Sequence, residues 1–219
     1  MTLVKSVSVP GYPVSIHSDC KKIYVGSEGQ RILLQLDDML SCQQFFINLS
    51  NNATSVQFYR NELYVWLANQ GLICIYDLSG NLIRSWKHSC VSKRFNKLRV
   101  VSDRVVVSSA QNQALKVYDL QGQLMKQIKC PGISKDWKAM AVCGDDSVIV
   151  SDYSTSSVFR VNIDSGEVMW TSKHVQYSEG VVCYKNSYVL VTSFNTDTRI
   201  WILDAVTGMG LTKLINNNA

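Results

Sequence analysis

The chain has 219 residues, 46% hydrophobic and 18% charged, with a net charge of +5. That much apolar material beside a charged fraction below the usual quarter excludes a disordered tail. No apolar run reaches the roughly eighteen residues of a membrane helix, and the opening MTLVKSVSVPGYPV lacks the apolar centre of a secretory signal, so a cytoplasmic location and no membrane partner are expected.

Residues 1–11 read as a lone strand, because LVKSVSVPG aligns with LMKQIKCPG at 124–132. Five units follow, at about 12–48, 53–88, 96–130, 137–174 and 178–215. Each contains a run dense in Val, Ile and Tyr: KIYVG from Lys22, LYVWL from Leu63, VVVSS from Val105, VIVSD from Val148 and YVLVT from Tyr188. A second strand then ends at Asp37, Asp77, Asp119, Asn162 and Asp204, in steps of 40, 42, 43 and 42 residues. A step of this size between strand-rich units is the mark of a β-propeller blade.

Within each unit the expected order is A, B, C, D. Strand A is a short apolar segment, and a turn at Asn61, Asp103, Asp145 or Asn186 leads into strand B. Strand C ends at the Asp or Asn, and DLSG, DLQG, DSG or VTG turns the chain into strand D. Asp serves such a turn by bonding its own nearby backbone, and Gly by accepting positive φ. The fold class is therefore all-β: a single β-propeller domain of four-stranded antiparallel blades with five repeats, either closed as five or forming part of a six-bladed ring.

The seven cysteines are odd in number and never spaced CxxC, so they read as buried thiols rather than a disulfide framework or zinc ligands. Cys143 and Cys183 hold matching places, each five residues before the next strand. The five tryptophans fall mostly in strands, where core packing accounts for most of them. No nucleophile elbow, P-loop or HExxH is present, so no enzyme, cofactor or small-molecule substrate is expected. A calcium-dependent propeller hydrolase is a second alternative, with Asp145, Asp146 and Asp152 as the carboxylates to check against plain turn duty.

In a propeller the D-to-A and B-to-C connections share one face. The segment from Trp86 to Val101 holds Lys87, Lys93, Arg94, Lys97 and Arg99 with no acid; Lys129, Lys135, Lys138 and Lys173 add to the same connections. Lys87-His88, Lys129-Cys130 and Lys173-His174 fall at one repeated position. With Phe95 and Trp137 as aromatic contacts, this rim is the candidate site for a protein partner. RNA is the alternative, with Tyr177, Asn69, Gln111, Asn112 and Asn195 added as base contacts.

The stretch SAQNQALKVYDLQGQLMKQI, residues 109–128, resembles an NHL repeat, with Asn112-Gln113 where Asn-His is usual and Val117-Tyr118-Asp119 plus Gly122 in place. Over residues 12–214 the chain resembles the C-terminal NHL-like propellers of invertebrate TRIM-like (tripartite motif) proteins. The resemblance implies substrate or RNA recognition for a ubiquitin-ligase system. Ligase chemistry does not carry over, because no RING or B-box pattern lies in this sequence. The Gly-His and Trp-Asp marks of WD repeats are missing.

Overall fold

The computed structural model describes all residues except 1–7, 19–21, 29–31, 38–41, 50–52, 89–96, 110–111, 131–133, 135, 195–199 and 215–219. For 28, 32–34, 37, 42–48, 213 and 214 only the backbone is considered. The strand expected over 1–11 falls mostly outside this set.

Among the described residues, twenty strands form five four-stranded antiparallel sheets, each meandering in sequence order. The chain divides into two compact units, Met1–Arg94 and Phe95–Ala219. The first unit holds blade 1, with β1 (Tyr12–Ser18), β2 (Lys22–Glu28), β3 (Ile32–Asp37) and β4 (Cys42–Asn48), and blade 2, with β5 (Ala53–Tyr59), β6 (Glu62–Leu67), β7 (Leu72–Asp77) and β8 (Leu82–Lys87). The second holds blade 3, with β9 (Leu98–Val101), β10 (Arg104–Ser109), β11 (Ala114–Asp119) and β12 (Leu124–Lys129). Blade 4 comprises β13 (Trp137–Val142), β14 (Ser147–Asp152), β15 (Ser157–Asn162) and β16 (Val168–Ser172), and blade 5 comprises β17 (Ser178–Tyr184), β18 (Tyr188–Ser193), β19 (Ile200–Asp204) and β20 (Gly210–Leu214).

The repeated turn is visible atom by atom. The Asp77 carboxylate accepts the backbone N–H of Ser79 at 2.9 Å and of Asn81 at 2.8 Å. Asp119 does the same for Gln121 and Gln123, and Asp204 for Val206 and Thr207. The Asn81 side-chain amide, donating to Asp77 at 2.9 Å, and then these backbone bonds hold the Asp77 carboxyl below the usual carboxylate range, and the Thr207 N–H and hydroxyl do the same for Asp204. Gly80 and Gly122, at φ 87° and 93°, complete the reversal where a Cβ would be strained. The A-to-B turns of blades 2, 3 and 5 place two residues each at positive φ: Arg60-Asn61, Ser102-Asp103 and Lys185-Asn186. Both central residues at positive φ is the requirement of a two-residue hairpin that matches strand twist.

Alternation along each strand sends one set of side chains to the preceding blade and the other to the next. In blade 4, Met140, Val148, Val150, Phe159 and Val161 pack with Val106, Leu115, Val117 and Ile128 of blade 3. Its Ile149, Val158 and Trp170 pack with Val189, Val191 and Leu203 of blade 5. In the first unit, Tyr24 packs with Ala53, Val56 and Val65. Trp66 and Trp137 are fully buried and Trp170 nearly so, in line with the core role expected of them.

One expectation is corrected. Cys143 and Cys183, read as thiols, form a disulfide across blades 4 and 5, with their Cα atoms 5.5 Å apart. The reason is geometric: β17 stacks beside β13, so matched places on consecutive blades are spatial neighbours. Cys74 and Cys130 are buried free thiols, whereas Cys20, Cys90 and the Cys42 side chain lie outside the described set. Among the described residues no helix is long and apolar enough to cross a membrane.

Candidate functional site

The D-to-A and B-to-C connections of the second unit are tied together by hydrogen bonds. The Tyr153 N–H donates to the Asp136 carbonyl at 3.1 Å, the Tyr177 N–H to Ser156 Oγ at 3.1 Å, and the Phe194 N–H to the Tyr177 carbonyl at 3.0 Å. Buried Asp152 accepts from the backbone and hydroxyl of Ser134 and from the Thr155 N–H. Asp146, at the other end of β14, accepts from Asn162. Both carboxylates thus have turn partners, and among the described residues no three His, Cys, Asp or Glu side chains gather as a metal site.

This scaffold presents three aromatic rings. Tyr153 lies 5.4 Å from Tyr177 and 6.3 Å from Phe194, centroid to centroid, both in tilted packing. Tyr177 is 45% and Phe194 68% exposed, which is unusual for side chains whose burial drives folding. Tyr177 sits at φ 49°, a region few non-glycine residues adopt, held there by the two bonds at its N–H and carbonyl. Lys138 Nζ stands 5.0 Å from the Tyr153 ring centroid and pairs with Asp136 at 2.9 Å.

Two further cations approach Lys138 from blade 3. Burial, then the charges of Arg99 and Lys138, push the Lys97 ammonium down to about 8; burial alone lowers Arg99 to about 10. Lys97 just before β9, Arg99 in β9, whose guanidinium donates to the Leu98 carbonyl at 2.7 Å, and Lys138 in β13 thus bring three positive groups together, the last of them over the Tyr153 ring, which suits an anionic group with an apolar or aromatic neighbour.

The sequence-derived candidates divide accordingly. Lys97 and Lys138 belong to this cluster; Lys173 and His174 are exposed, with His174 lying over Gly210. Lys129 is exposed at the end of β12, and Lys87 at the end of β8 in the first unit. His88 and Trp137 are buried, not on the rim surface. His88 is only 2% exposed, its N–H bonded to the Gly71 carbonyl and its ring edge-on to Trp66 at 5.3 Å. Trp137 is fully buried against Phe159 at 5.6 Å. His88 comes directly after β8 and Trp137 is the first residue of β13; Cys130, at the position matching His88, is buried as well. Lys93, Arg94, Phe95 and Lys135 lie outside the described residues. Tyr153 and Phe194 were missed: each immediately follows a B strand, a position where the repeat alone gives no reason to prefer an aromatic.

The chain superposes on solved propellers over nearly its whole length. It matches the WD40 β-propeller domain of Doa1 with a TM-score of 0.75 and 14% identity, over 96% of this chain and 71% of that one. The fold is a β-propeller. A streptogramin B lyase matches at TM-score 0.79 and 9% identity, over 97% and 72%, and BamB from Moraxella catarrhalis at 0.56 and 15%, over 94% and 76%. Such identities show the fold alone. No family model matches the sequence, nor does any curated protein.

Proposed function

We propose that this chain is a non-catalytic interaction module that holds a protein partner on the aromatic and cationic rim of its second unit. The observation that carries the reading is the exposed pair Tyr177 and Phe194 packed on half-buried Tyr153, over whose ring Lys138 stands. Aromatic anchors flanked by cations are what binding hot spots are made of, because a ring loses little conformational entropy on docking. The partner contributes an acidic residue to Lys97, Arg99 and Lys138 and an apolar side chain to the rings. The resemblance to TRIM-NHL propellers gives the module a place in substrate recognition for a ubiquitin-ligase system in the cytoplasm.

The test is affinity capture with the parent chain and with Tyr177→Ser/Phe194→Ser, quantified by mass spectrometry and followed by direct titration of the partner. Loss of the same partner in the variant, with Lys87→Ala unaffected, is expected. Equal capture by both overturns the reading. A second reading, single-stranded RNA stacked on the rings, rests on the same cations. It predicts binding of poly-uridine that weakens steeply with salt and disappears in Lys97→Glu/Lys138→Glu.

A further inference from the structure

The rim of the second unit is assembled from two blades, and one of the joints between those blades is covalent. Tyr153 and Lys138 belong to blade 4, whereas Tyr177 immediately precedes β17 of blade 5 and Phe194 immediately follows β18. At this end the blades are held by hydrogen bonds: the Tyr177 N–H to Ser156 Oγ at 3.1 Å, Ser151 Oγ to the Glu179 carbonyl at 2.7 Å, and Ser178 Oγ to the Asp152 carbonyl at 3.1 Å. Beyond them Ile149 and Val158 pack on Val189 and Val191. At the far end the Gly144 N–H donates to Asn186 Oδ1 at 3.0 Å, and the Cys143–Cys183 bridge crosses from blade to blade.

Bridge and rim are the two ends of one hairpin. β17 pairs with β18 from Ser178 opposite Ser193 at the rim to Cys183 opposite Val189, one pair before the last. At most about 17 Å of extended chain separates Ser178 from Cys183. The Phe194 N–H closes onto the Tyr177 carbonyl at 3.0 Å, so the hairpin carries both exposed rings as one body. When the hairpin parts from blade 4, the rings part from Tyr153 and Lys138 with it.

The two cysteines are placed for reversible chemistry. Their Cα atoms, 5.5 Å apart, stand at the usual separation of a disulfide, so joining the sulfurs asks for no backbone rearrangement. Cys143 is fully buried and Cys183 only half-buried, which makes Cys183 the sulfur that meets a small reagent and Cys143 the one that resolves the product. In the cytoplasm proposed for this chain such a pair rests as thiols, and a bridge there is transient, of the kind that senses oxidants.

We infer that Cys143 and Cys183 form a reversible thiol–disulfide site, oxidised by low-molecular-weight disulfides such as oxidised glutathione, whose bridge fixes the Tyr177–Phe194 half of the rim against the Tyr153–Lys138 half. The Cys183 thiolate attacks one sulfur of the oxidant and displaces a glutathione thiolate, leaving a mixed disulfide; the Cys143 thiolate then attacks the Cys183 sulfur and displaces the second. Two protein thiols become one disulfide, the oxidant's disulfide becomes two thiols, and the two protons pass to the departing glutathiones through solvent. By restricting the states in which the blades have parted, the bond raises the population of the assembled rim. That a partner feels this rests on the function proposed above; the redox site and its hold on the rim do not.

The test is amide hydrogen exchange, read by NMR, on the full chain equilibrated with oxidised or with reduced glutathione, the state of the two cysteines being followed by alkylation and mass spectrometry. The Tyr177 N–H, whose acceptor is on blade 4, should exchange at least about tenfold faster in the reduced chain. The N–H groups of Tyr153 and Phe194, whose acceptors lie in their own blades, should accelerate markedly less, whereas unfolding of the whole unit would expose all three alike. Cys183→Ala should show the reduced behaviour in both buffers; if it folds poorly, the oxidised and reduced parent make the same comparison without it. A pair that oxidised glutathione leaves as thiols, or a Tyr177 N–H that ignores the bridge or moves only in step with the other two, overturns the inference. Capture with Tyr177→Ser/Phe194→Ser separates the two proposals. A partner lost in that variant but held equally by the oxidised and reduced parent would sink the redox control alone, and a partner indifferent to the variant, with Tyr177 exchange still set by the bridge, would sink the rim as its binding site alone.

Discussion

At Lys97 the protein keeps a charge where burial and two like charges oppose it, and the consequence is measurable. Its folded value of about 8 lies below the 10.5 of a free lysine. Between those values the unfolded chain binds more protons, so this group makes stability rise with pH across that window, and the full penalty is present below pH 8. Lys97→Met should therefore raise the melting temperature at pH 7, by about 2–4 °C for about 1 kcal/mol, with the gain vanishing toward pH 10. Thermal melts of parent and variant from pH 6 to 10 check this; a variant that melts below the parent at pH 7 contradicts it. The same substitution should weaken the partner, as expected where a binding site retains charge at the expense of stability. A second residue-scale contrast is available in glycine. At Gly208, φ is 72° and an added Cβ would lie 2.6 Å from the Trp170 ring; at Gly144, φ is 74° but the nearest atom is 3.7 Å away. Gly144→Ala should cost about 1 kcal/mol, from the backbone alone. Gly208→Ala should cost about 2 kcal/mol more, because the indole it displaces also donates to the Ala205 carbonyl at 3.0 Å. Urea unfolding of the pair isolates the steric component.

At the scale of elements, the blade ending repeated in IYDLSGNLIRSWKH and VYDLQGQLMKQIKC was legible because its parts answer to local chemistry. Asp caps the turn, Gly reverses it, and alternating residues fill strands. What was not legible depended on neighbours in space. His88 and His174 follow equivalent lysines, yet one packs on Trp66 and the other stays in water; no local pattern separates them. Phe194 is exposed by the same logic in reverse. The Cys143–Cys183 bridge shows the limit best, since equivalent places in a repeat were in view and only the stacking of β13 on β17 converts equivalence into contact. With the cysteines separated by 40 positions in sequence, the loop-closure model gives about 4 kcal/mol as the stabilisation from restricting the unfolded chain. Cys143→Ala/Cys183→Ala, or reduction of the parent, should lower stability by about 2–4 kcal/mol in denaturant titrations. A bridge of this kind persists in oxidising surroundings, and in the cytoplasm expected from the sequence the two sulfurs would be held as thiols. Unchanged unfolding after reduction would show that the stacked core alone holds blades 4 and 5 together.

For the molecule as a whole, stability is a sum over blades and the contacts between consecutive ones, as in other repeat architectures. Blade 4 is covered on both faces, with Val148, Val150, Ile149, Val158 and Phe159 all fully buried. In blade 5, by contrast, Tyr188 of β18 and Ile200 of β19 reach into solvent. Local opening free energy follows the apolar contacts that opening must break. Amide hydrogen exchange should therefore be slowest in β14 and β15 and markedly faster in β18 and β19, although all four strands are hydrogen-bonded on both edges. Hydrogen bonding alone would make the two pairs equal, so the comparison isolates the contribution of face coverage. Equal protection of the two blades would mean that stability is pooled across the unit, and the additive picture of its blades would fail.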